Sequence, residues 1–423
     1  MSSDYSVKTL GQCRFDSPLP SIMFIREEHE RVRVDATVSS RSEINDKPAS
    51  FEKAGPRKKI FFKPKNCRIG IVTCGGLCPG LNDVIRAVVM VAWYRYGVRN
   101  ILGFRYGYQG LVPSADNQPL VLTPDLVEDI HQDGGTILGS SRGPQSSSKM
   151  VDFLVQKKID VLFVIGGDGT QRGALDIAAE IENRALPIAI VGIPKTIDND
   201  LSFTDRTFGF STAVAACQDA ITGAHMESKG VRNGIGLVRL MGRESGFIAV
   251  YASLASSDVN LVLIPEVLFS LKKVFSYLDR RIKRKAHAVI VVAEGAGQDL
   301  VGVEGTDISG NKKLGDIGRF LKSEITNHFR NTGIPVEVKY IDPSYIIRSL
   351  PANADDSVFC FQLAENAVHA AMAGRTQLVV SIWNGHFVHV PGQLVVRERK
   401  KVDVSSLLWQ SVLDNTGQPK NLS

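Results

Sequence analysis

The sequence predicts an α/β protein built from mainly parallel sheets. Short apolar runs typical of buried strands alternate along the chain with helical stretches, and glycine-rich turns join several of them. Such alternation favours parallel strands connected by right-handed crossovers. With 423 residues the chain is long enough for two or three domains, each with its own core. We expect two three-layer α/β domains that face an active-site cleft.

The predicted elements begin after a polar segment at residues 1–65, which we expect to pack loosely or to dock on a neighbour. A buried strand, Arg68–Thr73, leads through a glycine turn into a helix over residues 82–94. Further strands are predicted at residues 102–104, 160–165, 188–193, 234–240, 260–264, 288–293 and 378–383. We expect one domain over residues 66–209 plus about 347–392, and a second over residues 210–346 plus about 393–423.

Composition narrows the class of protein. The formal net charge of +6 suits anionic ligands such as phosphates, but it is too small and dispersed to indicate nucleic acid. The six cysteines form no CxxC pair and no zinc spacing, which favours a reducing compartment. The first thirty residues lack an apolar signal core, and no apolar run is long enough to span a bilayer. We therefore expect a cytoplasmic protein without membrane partners.

Three glycine-rich segments indicate a binding site for a polyphosphate. They are GGLCPG at residues 75–80, GGTILGSSRGP at 134–144 and GGDGT at 166–170, and each is predicted to follow a strand. Glycine lets backbone N–H groups approach an anion closely, and a helix N-terminus adds a favourable dipole. None fits the P-loop pattern or the dinucleotide pattern. Arg142 and Lys195 would supply positive charge beside these turns.

Two groups of acids follow neighbouring predicted strands. Asp168 lies in the tightest glycine turn, where a lone carboxylate suits Mg²⁺ among phosphate oxygens, although Asp is also a common turn former. Asp198 and Asp200 follow the next strand, in VGIPKTIDNDL at residues 191–201. Phosphoryl transfer needs a metal, cations and a base for the attacking hydroxyl, so Asp198 is predicted to be the base. Asp200 either orients Asp198 or caps the next helix.

Three cations near the ends of late strands are candidates for binding a phosphate on the acceptor. They are Arg243, Lys339 and Arg348, and for each of them a surface salt bridge is the competing interpretation. A basic block at residues 272–285 is predicted to be the solvated face of a helix, with an anion site as the alternative.

Eight ordered segments between about Cys67 and about Trp383 resemble phosphofructokinases. They are TCGGLCPGLN, GTILGSSRG, GGDGT, PKTIDND, FGFSTAV, MGRESGF, LIPE and SYIIR. The similarity is to the plant-like, long-chain ATP-dependent group, which is related to the pyrophosphate-dependent enzymes. It implies transfer of a γ-phosphoryl group from ATP, with Mg²⁺, to the 1-hydroxyl of fructose 6-phosphate in glycolysis. It also implies a homodimer or homotetramer with shared active sites, and it leaves allosteric control open.

The resemblance implies a role for individual positions. Asp198 would be the general base and Asp168 the Mg²⁺ partner. The ATP-binding residues would be Gly76, Tyr108, Arg142, Gly167, Asp168, Gly169, Thr170 and Gly173. The sugar would be held by Thr196, Asp200, Met241, Gly242, Arg243 and Glu294, and its 6-phosphate by Lys339, Tyr345 and Arg348.

The choice of phosphoryl donor should depend on Gly169 and Lys195. Pyrophosphate-linked enzymes have Asp where this chain has Gly169, and a carboxylate there would crowd and repel the α-phosphate of ATP. Lys195 is shared with both the pyrophosphate-linked and the plant-type branches. Alternatives are therefore a pyrophosphate-dependent enzyme and a non-catalytic regulatory subunit that binds sugar phosphate. A GGDGT-type NAD or lipid kinase is a further alternative, although PKTIDND and MGRESGF have no role there.

Overall fold

The computed structural model describes residues 4–20, 24, 30–37, 48–114, 117–302, 305–306 and 313–423. These residues form two compact units, and the chain passes between them more than once. The first unit contains the described residues up to Thr196 together with Leu201–Gly209 and Ser349–Arg399. The second contains Ile197–Asp200, Phe210–Arg348 and Lys400–Ser423.

All eight strands predicted from the sequence are present, with ends within one or two residues of the predicted ones, which is the usual uncertainty of element ends. The remaining strands had no predicted range. In chain order the strands of the described residues are β1 (Lys8–Thr9), β2 (Phe15–Asp16), β3 (Arg31–Arg33), β4 (Ser50–Lys53), β5 (Lys59–Ile60), β6 (Arg68–Thr73), β7 (Asn100–Phe104), β8 (Leu120–Val121), β9 (Val161–Gly166), β10 (Ala189–Pro194), β11 (Gly234–Leu240), β12 (Leu261–Leu263), β13 (His287–Ala293), β14 (Glu337–Ile341), β15 (Arg375–Thr376), β16 (Leu378–Trp383) and β17 (His386–Pro391).

The helices alternate with these strands. They are α1 (Leu81–Met90), α2 (Pro124–Val127), α3 (Ser147–Gln156), α4 (Asp168–Asn183), α5 (Phe210–Lys229), α6 (Phe247–Ser256), α7 (Leu271–Lys285), α8 (Gln298–Val301), α9 (Ile317–Asn331), α10 (Ser344–Arg348), α11 (Ala354–Met372), α12 (Gly392–Val395) and α13 (Leu407–Thr416). The helix predicted over residues 82–94 is α1 followed by a π-helical segment, Val91–Tyr96. No helix of the described ranges combines the length and the apolar character that crossing a membrane requires.

The first unit is built on a nine-stranded sheet of order β3-β4-β17-β16-β10-β9-β6-β7-β8. Its central strands, from β16 to β7, are parallel, and antiparallel strands lie at both edges. β9 and β10 are buried along their whole length, as their unbroken apolar sequences predict for parallel strands covered on both faces. Helices α3 and α4 pack over the core that these strands form.

The N-terminal segment is part of this sheet, so the expectation of loose packing is wrong for its described residues. β4 pairs with β17 and brings Phe51 into the core, where the ring meets Tyr5, Phe203 and Trp383 edge to face. β3 and β4 are short and mostly polar, so they gave no sequence signal for this pairing. Residues 1–3, 21–23, 25–29 and 38–47 of the predicted extension lie outside the described residues.

A buried charge network also joins the N-terminal segment to the sheet. Oε1 of Glu52 forms ion pairs with Arg57 Nη2 at 2.8 Å and with Arg375 Nη2 at 3.0 Å, and His389 Nδ1 lies 3.7 Å from it. Burial alone would raise the pKa of Glu52, but His389, Arg375 and Arg57 together hold that pKa well below the usual range. The carboxylate therefore stays ionised. Its loss would leave the guanidinium groups of the buried Arg57 and the partly buried Arg375 without this negative charge.

The second unit is built on a parallel four-stranded sheet of order β12-β13-β11-β14. Helices α7 and α9 pack against it through buried side chains such as Leu278 and Leu321. The basic block of α7 points to solvent, as predicted. The C-terminal segment completes this unit, because Leu422 enters the core and Gln418 exchanges hydrogen bonds with the backbone of Val262.

Candidate active site

In the first unit, the GGDGT turn and the PKT turn lie side by side. β9 and β10 are adjacent and parallel, with Gly166 opposite Pro194, and Lys195 N donates to Gly166 O at 3.0 Å. The buried Gln171 side chain donates to Gly166 O at 3.0 Å and lies 3.4 Å from Ile193 O. Strand ends at one edge of a parallel sheet are where ligands bind in α/β proteins.

The first two glycine-rich segments meet Lys195 in this unit. Lys195 Nζ donates to Gly76 O at 2.8 Å, and Gly75 exchanges hydrogen bonds with residues 140–141. Arg142 Nη2 lies 3.5 Å from the position that a Cβ on Gly76 would take. Gly75 has φ +88°, which an L side chain rarely adopts. The prediction that the second segment follows a strand is wrong, because a 3₁₀ turn, Ile130–Gln132, precedes it.

Glycines leave the backbone at the start of α4 uncovered by side chains, and Tyr108 packs against the first turn of this helix. Gly167 caps the helix without a side chain, and a Cβ on Gly169 would meet nothing within 4 Å. The Tyr108 ring is buried, its hydroxyl donates to Thr170 O at 2.6 Å, and a Cβ on Gly173 would lie 2.6 Å from it. The first-turn N–H groups of α4 therefore form an anion-binding surface with open space at Gly169.

Asp168 lies at the first position of α4 between two arginines. Its Oδ2 accepts a hydrogen bond from Arg172 Nε at 3.2 Å and lies 3.6 Å from Arg399 Nη2. Its Oδ1 is enclosed and accepts no hydrogen bond in the described structure, although Arg172 Nη2 is 3.2 Å away. The described residues contain no group of three or more metal-binding side chains. The site thus fits an ion that takes one protein carboxylate and is held mainly by phosphates, as Mg²⁺ is.

In the second unit, Asp198 is held by the loop that carries Arg243. Arg243 N donates to Asp198 Oδ2 at 3.4 Å, and Ser245 Oγ donates to Asp198 O at 3.3 Å. The next residue, Asn199, has φ +55°. A left-handed non-glycine residue stores strain that the surroundings must sustain, and such residues are common at functional sites.

The electrostatics of this cluster raise the pKa of Asp198 to about 7. Burial is the largest cause, and the neighbouring acids Asp200 and Glu294 add to it. Arg348 and the N–H of Arg243 act in the opposite direction. A carboxylate with such a pKa can accept a proton from a substrate near neutral pH.

An ion-pair network joins Glu294 to the end of β14. Glu294 Oε2 lies 3.0 Å from Arg239 Nη2, and its Oε1 lies 3.8 Å from Arg348 Nη2. Arg239 also pairs with Asp342 at 2.5 Å, and Asp342 accepts hydrogen bonds from the N–H and hydroxyl of Ser344 at the start of α10. Glu294 and Arg348, predicted from the sequence, are thus brought together.

The other predicted acceptor residues are distributed differently. Met241 is buried, and Gly242 has φ +127° in the loop before Arg243. Lys339 pairs with Glu337 and Glu227 on the surface and does not join the network of Glu294. Tyr345 is 84% exposed. Thr196 belongs to the first unit, where its carbonyl accepts a hydrogen bond from Thr207 Oγ1 at 2.5 Å.

Sequence reasoning missed Gln171, Arg172, Arg239 and Arg399. Gln171 and Arg172 sit directly after GGDGT, and Arg239 lies two residues before Met241. Their closeness to recognised motifs was a usable signal. Arg399 gave no sequence signal. It lies far from the motifs along the chain, although an antiparallel bridge pairs it with Leu201 and its side chain lies close to Asp168.

The two sets of residues define a class of protein. A glycine-rich anion site with Lys195, Arg142 and Asp168, and an acid of raised pKa among arginines, are the parts that a phosphotransferase requires. A sequence model of the family described as phosphofructokinase matches residues 68–371. The chain belongs to the phosphofructokinase family, as its motifs predicted.

Individual relatives agree with this assignment. The chain is 48% identical to an ATP-dependent 6-phosphofructokinase of Borreliella burgdorferi, over 98% of this chain and 97% of that protein. It is 48% identical to ATP-dependent 6-phosphofructokinase 7 of Arabidopsis thaliana, over 88% of this chain and 78% of that protein. A solved structure of a pyrophosphate-dependent phosphofructokinase from Marinobacter aquaeolei superposes with a TM-score of 0.69 at 19% identity, over 84% of this chain and 93% of that one. The predicted fold class is confirmed.

Proposed function

We propose that the protein phosphorylates fructose 6-phosphate on its 1-hydroxyl with ATP, giving fructose 1,6-bisphosphate. The relatives that match almost the full chain are named ATP-dependent 6-phosphofructokinase. The observation that carries the proposal is the environment of Asp198, whose raised pKa suits a base for a hydroxyl.

The first unit would bind ATP. Support comes from the meeting of Gly76, Arg142 and Lys195 and from the open first turn of α4. Backbone N–H groups would bind phosphate oxygens, while the two cationic side chains would balance their charge. Tyr108 would act by supporting the turn at Thr170, because its hydroxyl and ring are already engaged there.

The second unit would bind the sugar phosphate. Asp200, Arg243 and Glu294 offer acceptors and donors for sugar hydroxyls, and Arg348 offers a guanidinium for the 6-phosphate. Lys339 and Tyr345 were also predicted for the 6-phosphate. Lys339 is half-buried and paired with Glu337, whereas Tyr345 is exposed and would have to bind the phosphate from the surface.

The reaction itself is an exchange of bonds in which Asp198 handles the proton. The 1-hydroxyl oxygen attacks the γ-phosphorus, its O–H bond breaks toward Asp198, and the bond from that phosphorus to the β-phosphate oxygen breaks to release ADP. Arg243 N–H, at 3.4 Å from Asp198 Oδ2, orients the carboxylate for this transfer, and the Ser245 hydroxyl holds the backbone carbonyl of Asp198. Burial, and after it the neighbouring acids Asp200 and Glu294, raise the pKa of Asp198 so that it can take the proton, and Arg348 limits that effect.

Asp168 would hold Mg²⁺ together with nucleotide phosphates. Bound there, the ion would offset negative charge on the phosphates during transfer. Arg172 and Arg399 hold Oδ2 of this carboxylate, and the enclosed Oδ1, which accepts no hydrogen bond in the described structure, would be the oxygen left for the ion.

ATP is favoured over pyrophosphate by Gly169. Nothing lies within 4 Å of a Cβ at this position, so glycine there leaves space for the part of the nucleotide beyond the two terminal phosphates. Lys195 is held against Gly76 O and would contact phosphate of either donor. Glycolytic use, a reducing compartment consistent with six free cysteines, and a dimer or tetramer with shared sites are part of the same proposal.

The first test supplies fructose 6-phosphate and Mg²⁺ with ATP or pyrophosphate and follows fructose 1,6-bisphosphate. Turnover with ATP alone is expected, and Asp198→Asn should lower kcat by about 10²–10⁴-fold, the usual contribution of a general base. Binding of fructose 6-phosphate to the variant, measured by calorimetry, should persist. Equal kcat in wild type and variant would contradict the role of Asp198, while pyrophosphate turnover would contradict the donor.

A second test addresses Gly169. Gly169→Asp should lower kcat/KM for ATP by about tenfold or more, because like charges placed together are costly. The fold should tolerate the change, since an acid in the first turn stabilises a helix. Gly169→Ala is the matched control: it adds a Cβ in open space without charge and should retain ATP use. Similar losses in both variants would point to backbone freedom instead of charge.

A further inference from the structure

Glu266, in the LIPE segment, has no part in the function proposed above, yet its carboxylate is held tightly. Its Oε1 accepts hydrogen bonds from Gly246 N at 3.0 Å and from Val402 N at 2.8 Å, and its Oε2 lies 3.1 Å from Gly246 N. Gly246 caps α6 and has no side chain to do so. Glu266 therefore satisfies the N–H of Gly246, one of the donors at the start of α6 that have no partner within the helix.

The two backbone segments that Glu266 joins both contact the Asp198–Asp200 turn. The loop ending at Gly246 donates to Asp198 through Arg243 N and Ser245 Oγ. The segment leading to Val402 donates to Asp200 through Lys400 N, at 2.9 Å. One carboxylate thus connects two separate supports of the same turn.

We propose that Glu266 is a positioning residue for phosphoryl transfer, which couples the 242–246 loop to the C-terminal segment 400–402 and so fixes the Asp198–Asp200 turn. The inference rests on the proposed function, because Asp198 is the base there. Residues 400–402 lie beyond the part of the chain that the family model matches. Asn199, at the centre of this turn, has a left-handed backbone with φ +55°, a conformation that Asn adopts more readily than most residues.

The hydrogen bonds, more than the charge, would carry this role. Since Oε1 alone accepts from both Gly246 and Val402, an amide oxygen can replace it. Glu266→Gln should therefore retain most of the activity. Glu266→Ala removes both contacts, and a shift of the base of up to 1 Å is enough to lower kcat by about 10–100-fold.

Gln418→Ala provides the matched control. Gln418 is buried in the same C-terminal segment and bonds the backbone of Val262 through its Oε1 and Nε2, at 2.7 and 3.2 Å. Removal of the Gln418 side chain should loosen the C-terminal segment at a place that does not contact the Asp198–Asp200 turn. Both alanine variants should lower the thermal midpoint and leave KM for ATP unchanged. Only Glu266→Ala should lower kcat and shift the acid limb of the pH profile of kcat/KM.

Hydrogen exchange supplies a readout that does not depend on turnover. In Glu266→Ala, peptides covering residues 242–246 and 400–402 should both exchange faster, whereas Gln418→Ala should affect residues 261–263 and 416–420. Unchanged exchange at either of the first two segments, or the same kcat loss in Gln418→Ala, would overturn the proposal. Wild-type protein without kinase activity would overturn the proposed function, while exchange would still decide whether Glu266 couples the two segments.

Discussion

At the scale of single residues, the proposed base lies in surroundings that are unfavourable for a carboxylate. Asp198 lies near two other acids, Asp200 and Glu294, and it is enclosed enough for its pKa to rise. Asn199 beside it has a left-handed backbone. Both features lower stability locally, and the hydrogen bonds from the 242–246 loop and from Lys400 offset part of that loss.

The raised pKa predicts that Asp198 destabilises the fold at neutral pH. Below the unfolded-state pKa, near 4, the group is protonated in both states and has no such effect; as pH rises toward 7, the unfolded state ionises first and stability falls. Asp198→Asn should therefore be more stable than wild type at pH 8, on the order of 4 kcal/mol for a pKa raised from near 4 to about 7, and nearly equal to it at pH 4. Urea unfolding at both pH values measures this.

Asp403→Asn is the control for that measurement. The Ser405 hydroxyl and N–H lower the pKa of Asp403, the opposite direction, and this carboxylate is exposed in the same unit. The control variant should show no gain at pH 8. A gain in both variants would mean that reduced net charge, and not the surroundings of Asp198, explains the effect.

At the scale of elements, the N-terminal strands show how a weak sequence signal can hide a core position. β4 is four residues long and three of them are polar, yet its Phe51 is fully buried among three aromatic rings. The adjacent Glu52 is held by Arg57 and Arg375, so the strand is secured on both of its faces.

Replacing Phe51 should thus destabilise the first unit strongly. Phe51→Ala leaves a cavity in the aromatic cluster, and a loss of about 3–5 kcal/mol is expected for a buried Phe. Phe15→Ala is the control within the same N-terminal segment, because Phe15 is 40% exposed and should change stability little. The thermal midpoints of the two variants, measured side by side, test whether the segment is structural. Equal midpoints would show that β4 does not contribute to the core.

At the scale of the whole molecule, the chain builds each of its two units from separate stretches. The first unit contains both the N-terminal segment and residues 349–399, and the second takes only four residues, 197–200, from the middle of the first unit's sequence. Those four include Asp198 and Asp200. The candidate base thus belongs to the second unit, although it directly follows a strand of the first.

The sequence by itself determined the parallel α/β class, the bounds of the eight predicted strands and the motif residues. Alternating apolar runs and glycine turns are local patterns, and local patterns fix strands and helices within a residue or two. The same motifs identified the family, which the matches to known proteins confirm. The roles of Asp168, Asp198 and Gly169 stay predictions, as do the functions assigned to the two domains.

Only the tertiary structure decided which distant residues support these motifs. Arg399 reaches Asp168, Val402 reaches Glu266 and Glu52 reaches Arg375 across more than a hundred residues of chain. No periodicity or spacing encodes such contacts, because each depends on where the backbone returns after a whole unit has folded. Their energies come from burial and exact partner geometry, which arise only once the sheets have assembled.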